Sequence, residues 1–269
     1  MHKFDKANFS NHANVVLRLE KKRKTLQNLL VSLVFDYANK ISGTYSNDDF
    51  IELRNSITLR LENIFYHYDL LASINVSDEE IITNEIISPL VTPQIAIKQD
   101  FLFDSIVFNT LSLFDYTSCL IKYIIETNKQ KKKLLWTQLI RTARGTNNFK
   151  ETSLAKLLVE LDKKWVFVLG EYRAELIHYN DDFVSDGLKY YPVESKYIIH
   201  ISAPSSLKKH FREFKQVENS DANINQVTLW IIENSIECII DIMEELRTYF
   251  DTVRKVPVGK EVYTFRKGS

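Results

Sequence analysis

The chain has 269 residues, 45% of them apolar and 26% charged, with 35 basic and 35 acidic side chains. That balance suits one large or two small folded domains and argues against a disordered chain. A formal charge of zero excludes a protein that holds nucleic acid by overall basicity, so any polyanion contact has to come from a local patch.

With six glycines and five prolines, few turns are specified, which favours long helices over a many-stranded sheet. The first 16 residues lack the apolar core of a signal peptide, and no uncharged apolar run approaches the length of a membrane span. A cytoplasmic protein without membrane contact is expected. Cys119 and Cys238 both sit in apolar helical patterns and read as buried free thiols. Without a Cys-x-x-Cys pair, neither a disulfide framework nor a structural zinc site is indicated.

Residues 15–41 predict a first helix, with Leu19, Leu26, Leu29, Leu30, Leu33 and Tyr37 at three- and four-residue spacing and Gly43 as a stop. Asn47-Asp48-Asp49 caps a second helix, whose apolar positions run from Ile51 to Leu71 and which ends near residue 74. Ser77 with Glu80 fits a capping box for a short helix over 78–87, before Pro89 and Pro93. The stretch 98–126 is apolar almost all round and predicts a central core helix. Asp104, Asn109 and Asp115 interrupt it, and pairing of at least one of them with Arg173 or Arg141 is expected, since a buried carboxylate needs a partner.

A short helix around Leu134–Arg141 and a loop at Gly145–Asn148 lead to a helix over 152–180. Asp186-Gly187 then reads as a turn between Phe183-Val184 and Leu188–Tyr191, and Tyr197–Ile201 reads as a strand. A short basic helix over 206–214 and a long helix over 222–253 follow. The expected fold is all-α, a multi-helix bundle with a small β-hairpin appendage around residues 183–202. Residues 1–97 form an N-terminal helical region packed on the main bundle of 98–255, and 256–269 form an irregular tail.

The 152–180 helix carries the most informative segment, Tyr172-Arg173-Ala174-Glu175-Leu176-Ile177-His178. Its apolar stripe includes Leu154, Leu158, Leu161, Trp165, Leu169 and Tyr172, and position 178 falls about opposite the stripe's centre. Gly170, Ala174 and His178 are spaced by four and form one track, with Phe167 and Ile177 close on either side. A glycine inside a helix costs about 1 kcal/mol relative to alanine, and close approach of another helix usually offsets it. That partner is either another helix of the same chain or a second copy.

Arg173 and His178 stand about 140° apart and about 7.5 Å along the axis, so they do not readily meet within one helix. Two such helices crossing antiparallel gather two of each at a shared groove. Imidazole moves protons near neutral pH and guanidinium grips phosphate with two donors. Together they suit attack of an RNA 2′-hydroxyl on its neighbouring phosphate without a metal.

Arg-x4-His near the end of a long helix, behind a very apolar helix in an all-helical setting, resembles the HEPN superfamily. The likeness covers about residues 98–250. It implies a four- to five-helix bundle that dimerises, with metal-independent endoribonuclease activity at a composite groove and Arg173 and His178 as its catalytic pair. It also implies a toxin or phage-defence setting. One position departs: the family usually has Asn, Asp or His directly after the arginine, and here Ala174 stands there. The alternative is a non-catalytic helical module that binds a nucleotide, RNA or a partner protein.

Between Lys129 and Lys150 no acidic residue occurs, and Lys131, Lys132, Lys133, Arg141 and Arg144 form a candidate RNA-tracking surface beside Trp136 and Phe149. A solvated loop is the other reading of that segment. Lys208, Lys209, His210 and Arg212 form a second basic group. No histidine or carboxylate spacing suggests a metal, and no cofactor is expected.

Overall fold

The computed structural model describes residues 4, 12–42, 48–84, 91–125, 135–178, 186–191, 196–212, 223–252, 254–258 and 262–266. Helices dominate: α1 (His12–Tyr37), α2 (Asp48–Asn84), α3 (Val91–Ile125), α4 (Trp136–Arg144), α5 (Ser153–Leu161), α6 (Phe167–His178), α7 (Leu207–His210) and α8 (Ile224–Thr252). Strands β1 (Asp186–Tyr191) and β2 (Lys196–Ile201) pair antiparallel, as do β3 (Arg254–Val258) and β4 (Val262–Arg266). No helix among the described residues is long and apolar enough to cross a membrane.

The all-α expectation holds, with four local corrections. The break expected after residue 74 is absent, because α2 runs on to Asn84. Ser77 is helical there, and an N-cap must have a non-helical backbone, so the Ser77/Glu80 pair does not cap. Pro93 starts no break either; it sits in the first turn of α3, where its missing N–H has no helical partner to lose. Asp186-Gly187 is not a turn but the start of β1, with Gly187 opposite His200, and Phe183-Val184 lies outside the described residues. The tail expected to be irregular instead contains β3 and β4, with Val256 opposite Thr264.

Two compact units form, one from residues 1–17, 62–109 and 168–234 and the other from 18–61, 110–167 and 235–269. Long helices such as α2 and α3 contribute to both.

A line of aromatic rings fills the core of the first unit. Phe103 of α3 meets Tyr172 of α6 at 6.2 Å between ring centroids, Tyr172 meets Phe211 at 6.1 Å, and Phe211 meets Trp230 of α8 at 5.3 Å. Phe4 closes the line on Trp230 at 6.0 Å. All these pairs are edge-on, the arrangement the ring quadrupole favours.

The second unit has its own ring cluster, in which Tyr37 stacks on Phe50 at 4.2 Å and tilts against Tyr123 and Phe250. Two indoles in its core find polar partners: Trp165 Nε1 donates to Ser235 Oγ at 2.9 Å, and Trp136 Nε1 to Asp162 Oδ1 at 2.9 Å. The buried Thr117 and Ser118 hydroxyls donate to the carbonyls four residues back, which lets polar residues sit inside the most apolar helix. Asp115 of the same helix accepts the backbone N–H of Trp136 at 2.8 Å, satisfying one of the free donors at the start of α4.

Between α5 and α6 the expected continuous helix widens into a π turn, Asp162–Val166, closed by Phe167 N–H donating to the Asp162 carbonyl five residues back. The extra residue brings Leu161, Asp162, Trp165 and Val166 all inside. Asp162 is buried with two donors on its carboxylate, Trp136 on one oxygen and Arg144 Nη2 at 2.9 Å on the other. Replacing Asp162 by alanine leaves a buried indole N–H without an acceptor, so a loss of about 1–3 kcal/mol of unfolding free energy is expected. Arg144→Ala, on a side chain 55% exposed, is expected to cost at most about 1 kcal/mol. Denaturant titration of the two variants measures the contrast, and equal losses would show that the ion pair, not the indole, holds the turn.

Candidate functional site

Tyr172 is fully buried, and its ring is boxed by Phe103, Phe211 and His210, the last at 5.9 Å. An α-helix turns about 100° per residue, so this one buried ring sets where every neighbour on α6 points. Arg173 comes next and lies over Phe108 of α3, its guanidinium carbon 4.9 Å from the ring centroid. Where pairing with a carboxylate of the central helix was the expectation for Arg173, the contact found is with the Phe108 ring. Asn109 donates to the Ser105 carbonyl at 2.8 Å, and Asp115 is engaged at α4. A guanidinium that offers its face to a ring keeps its edge donors for an oxyanion. The Arg173 Nε is buried and makes no hydrogen bond among the described residues.

Glu175 is the residue of the segment whose importance the spacing argument missed. Both of its oxygens are taken by α7: Lys209 Nζ donates to Oε1 at 2.5 Å, and His210 Nε2 lies 2.5 Å from Oε2. The lysine's hydrogen bond is the main cause that holds the Glu175 carboxyl below the ordinary carboxylate range, with the histidine adding to it. The partners lie 34 and 35 residues away in sequence, so no local pattern announces them. The basic helix expected over 206–214 is the four-residue α7, Leu207–His210.

Of the expected interface residues, Ala174 is exposed and Phe167 is 56% exposed. The close approach expected at Gly170 is not made by any described residue, because a Cβ there would meet nothing within 4 Å. The option that another helix of the same chain fills this track is thereby overturned for the described residues. Ile177 and His178 close α6, and their side chains lie outside what is described.

Lys131, Lys132 and Lys133 also lie outside the described residues. Arg141 is exposed, as expected of a surface cation, whereas Arg144 is committed to Asp162. Trp136 and Phe149, expected as available aromatics, are buried core residues and offer no stacking surface. Cys238 is buried, but Cys119 is only half-buried. His67 bonds the Asn63 carbonyl at 2.7 Å on α2, and His200 belongs to β2. No group of three or more His, Cys, Asp or Glu gathers among the described residues.

Comparison of the chain with protein-family models, with curated proteins and with solved structures finds no match in any of the three.

The Glu175 contacts give a pH signature. A carboxyl whose folded pKa lies below its unfolded value near 4.5 contributes stability in full above that value and loses it as pH falls through the folded pKa. Glu175→Gln is expected to be less stable than the wild type at neutral pH, with the gap closing as pH drops below about 4.5. Urea titrations of both proteins between neutral and acid pH measure the gap, and a gap constant down to the acid end would show that these contacts are not ionic.

Proposed function

We propose that the chain is a HEPN-like helical module that pairs with a second copy and cleaves RNA without a metal. Arg173 holds the scissile phosphate and His178 transfers a proton. The observation that carries this reading is the state of Arg173, whose guanidinium carbon lies over the Phe108 ring and whose buried Nε has no hydrogen-bond partner among the described residues. A phosphate ligand needs that combination of a set position and available donors. Positions 173 and 178 lie on different sides of α6, about 140° apart, so the pair works across two copies of the helix.

The open space at Gly170 and the exposure of Ala174 support a second copy laid along that track. In this reading β1 and β2 form a small appendage to the helical module, and Arg141 and Lys131–Lys133 guide the RNA strand. The second reading, a non-catalytic module that binds a nucleotide, RNA or a partner protein, is favoured by Ala174. That exposed alanine stands where the family usually places a polar residue, one turn before His178.

Purified chain in excess EDTA is expected to cut single-stranded RNA to products ending in a 2′,3′-cyclic phosphate. Arg173→Ala and His178→Ala should each slow cleavage about 100-fold or more. Gly170→Arg, for which the single chain has room, should leave thermal melting unchanged, yet yield a monomer in sedimentation equilibrium and abolish cleavage. RNA binding without cleavage by the wild type favours the second reading, and neither binding nor cleavage sinks both.

A further inference from the structure

The first unit holds a second imidazole beside the motif helix, fixed more firmly than surface histidines usually are. His210 is held by the Glu175 carboxylate through Nε2 and packs edge-on against the buried Tyr172. Its side chain is 19% exposed, so the ring is neither sealed in the core nor free to rotate. Lys209 takes the other oxygen of the same carboxylate. Glu175 is thus anchored on both sides, and it holds the imidazole through Nε2.

The helix relates this arrangement to His178. Position 178 is three residues beyond Glu175, about 60° around α6 and about 4.5 Å along it. Position 173 is about 160° away from 175 on the other side. Positions 175 and 178 therefore lie on the side of α6 away from position 173. In an antiparallel pair of these helices, the arginine of one copy comes to the histidine side of the other.

We propose that His210, oriented by Glu175, is a second proton-transfer residue of the ribonuclease site and works with His178 as an acid–base pair. This rests on the ribonuclease reading above. In-line cleavage of RNA needs two such groups. One imidazole takes the proton of the 2′-hydroxyl as that oxygen bonds to phosphorus. An imidazolium gives its proton to the 5′-oxygen as the P–O5′ bond breaks. The products are a 2′,3′-cyclic phosphate and a 5′-hydroxyl, and no metal or further reactant is consumed. Two copies bring two His178 to the shared groove in like settings, whereas an acid and a base need different ones; His210, held by a carboxylate, is an imidazole in a different setting. Ala174, in place of a polar residue, matters less when the supporting group comes from α7.

The test uses the full chain, EDTA and two RNA substrates, one natural and one with sulfur replacing the bridging 5′-oxygen. Thiolate leaves without protonation, so that substrate restores a variant lacking the general acid and does nothing for one lacking the base. His178→Gln and His210→Gln are each expected to slow cleavage of natural RNA about 100-fold or more. Only one of the two should recover with the sulfur substrate. Each variant should also remove one limb of the wild-type pH–rate profile, and Glu175→Gln should slow cleavage less than His210→Gln does. Melting curves matched to the wild type certify the fold of each variant. In a folded His210→Gln, wild-type cleavage with both limbs intact overturns the role of His210 while leaving the ribonuclease reading standing. So does recovery of both variants or of neither. No cleavage by the wild type overturns both.

Discussion

Everything proposed about α6 follows from the burial of one ring. Tyr172 has no exposed surface, and it meets Phe103 on one side and Phe211 and His210 on another. Rotating α6 by one residue would put Arg173 or Glu171 into that apolar box and expel the tyrosine. Burying an aromatic side chain is worth about 2–3 kcal/mol, while burying an unpaired charge costs several, so the phase of the helix is strongly determined. Arg173 is then delivered to Phe108 and Glu175 to α7 without either residue having to specify the rotation itself.

Much of the helical architecture was legible in the residues, and the reason is periodicity. The apolar positions of α1 and α8 recur at three- and four-residue spacing for six or more turns, and that signal survives any local exception. Local exceptions themselves were misread. Ser77 and Glu80 have the spacing of a capping box, but the chain around them can also simply continue as helix, and nothing nearby forces a choice. The π turn at Asp162–Val166 is invisible to a search for regular spacing, because one extra residue shifts the stripe without erasing it. In the tail, Val256, Val258, Val262 and Phe265 do carry strand character, and the scarcity of such segments elsewhere hid it.

The candidate site divides along a similar line. Arg173 and His178 stand out because their residue types and spacing carry chemistry. Glu175 lies between them and looked like a spacer, since its partners arrive through the fold from α7 and not through the helix. The small-residue track was legible too, but what it faces could not be read from one chain's pattern, and the empty space at Gly170 is the physical answer for the described residues. Polar groups buried in this protein mostly solve their own problem. Thr117, Ser118, Thr228 and Asn234 bond their own helix, and the indoles of Trp136 and Trp165 meet a carboxylate and a hydroxyl.

The commitment of Arg144 to Asp162 has a consequence for how this surface meets a polyanion. A cation already neutralised by a carboxylate displaces no counterion when a phosphate approaches, unless the internal pair first opens. Each cation that does neutralise a phosphate of single-stranded RNA steepens the fall of affinity with ionic strength by about 0.7 in logarithmic slope. If the segment around α4 binds RNA as proposed, its affinity would respond to salt more weakly than its count of lysines and arginines implies. What it gains is constancy: the buried carboxylate that holds the π turn is itself shielded from ionic conditions, while Arg141 is exposed to them.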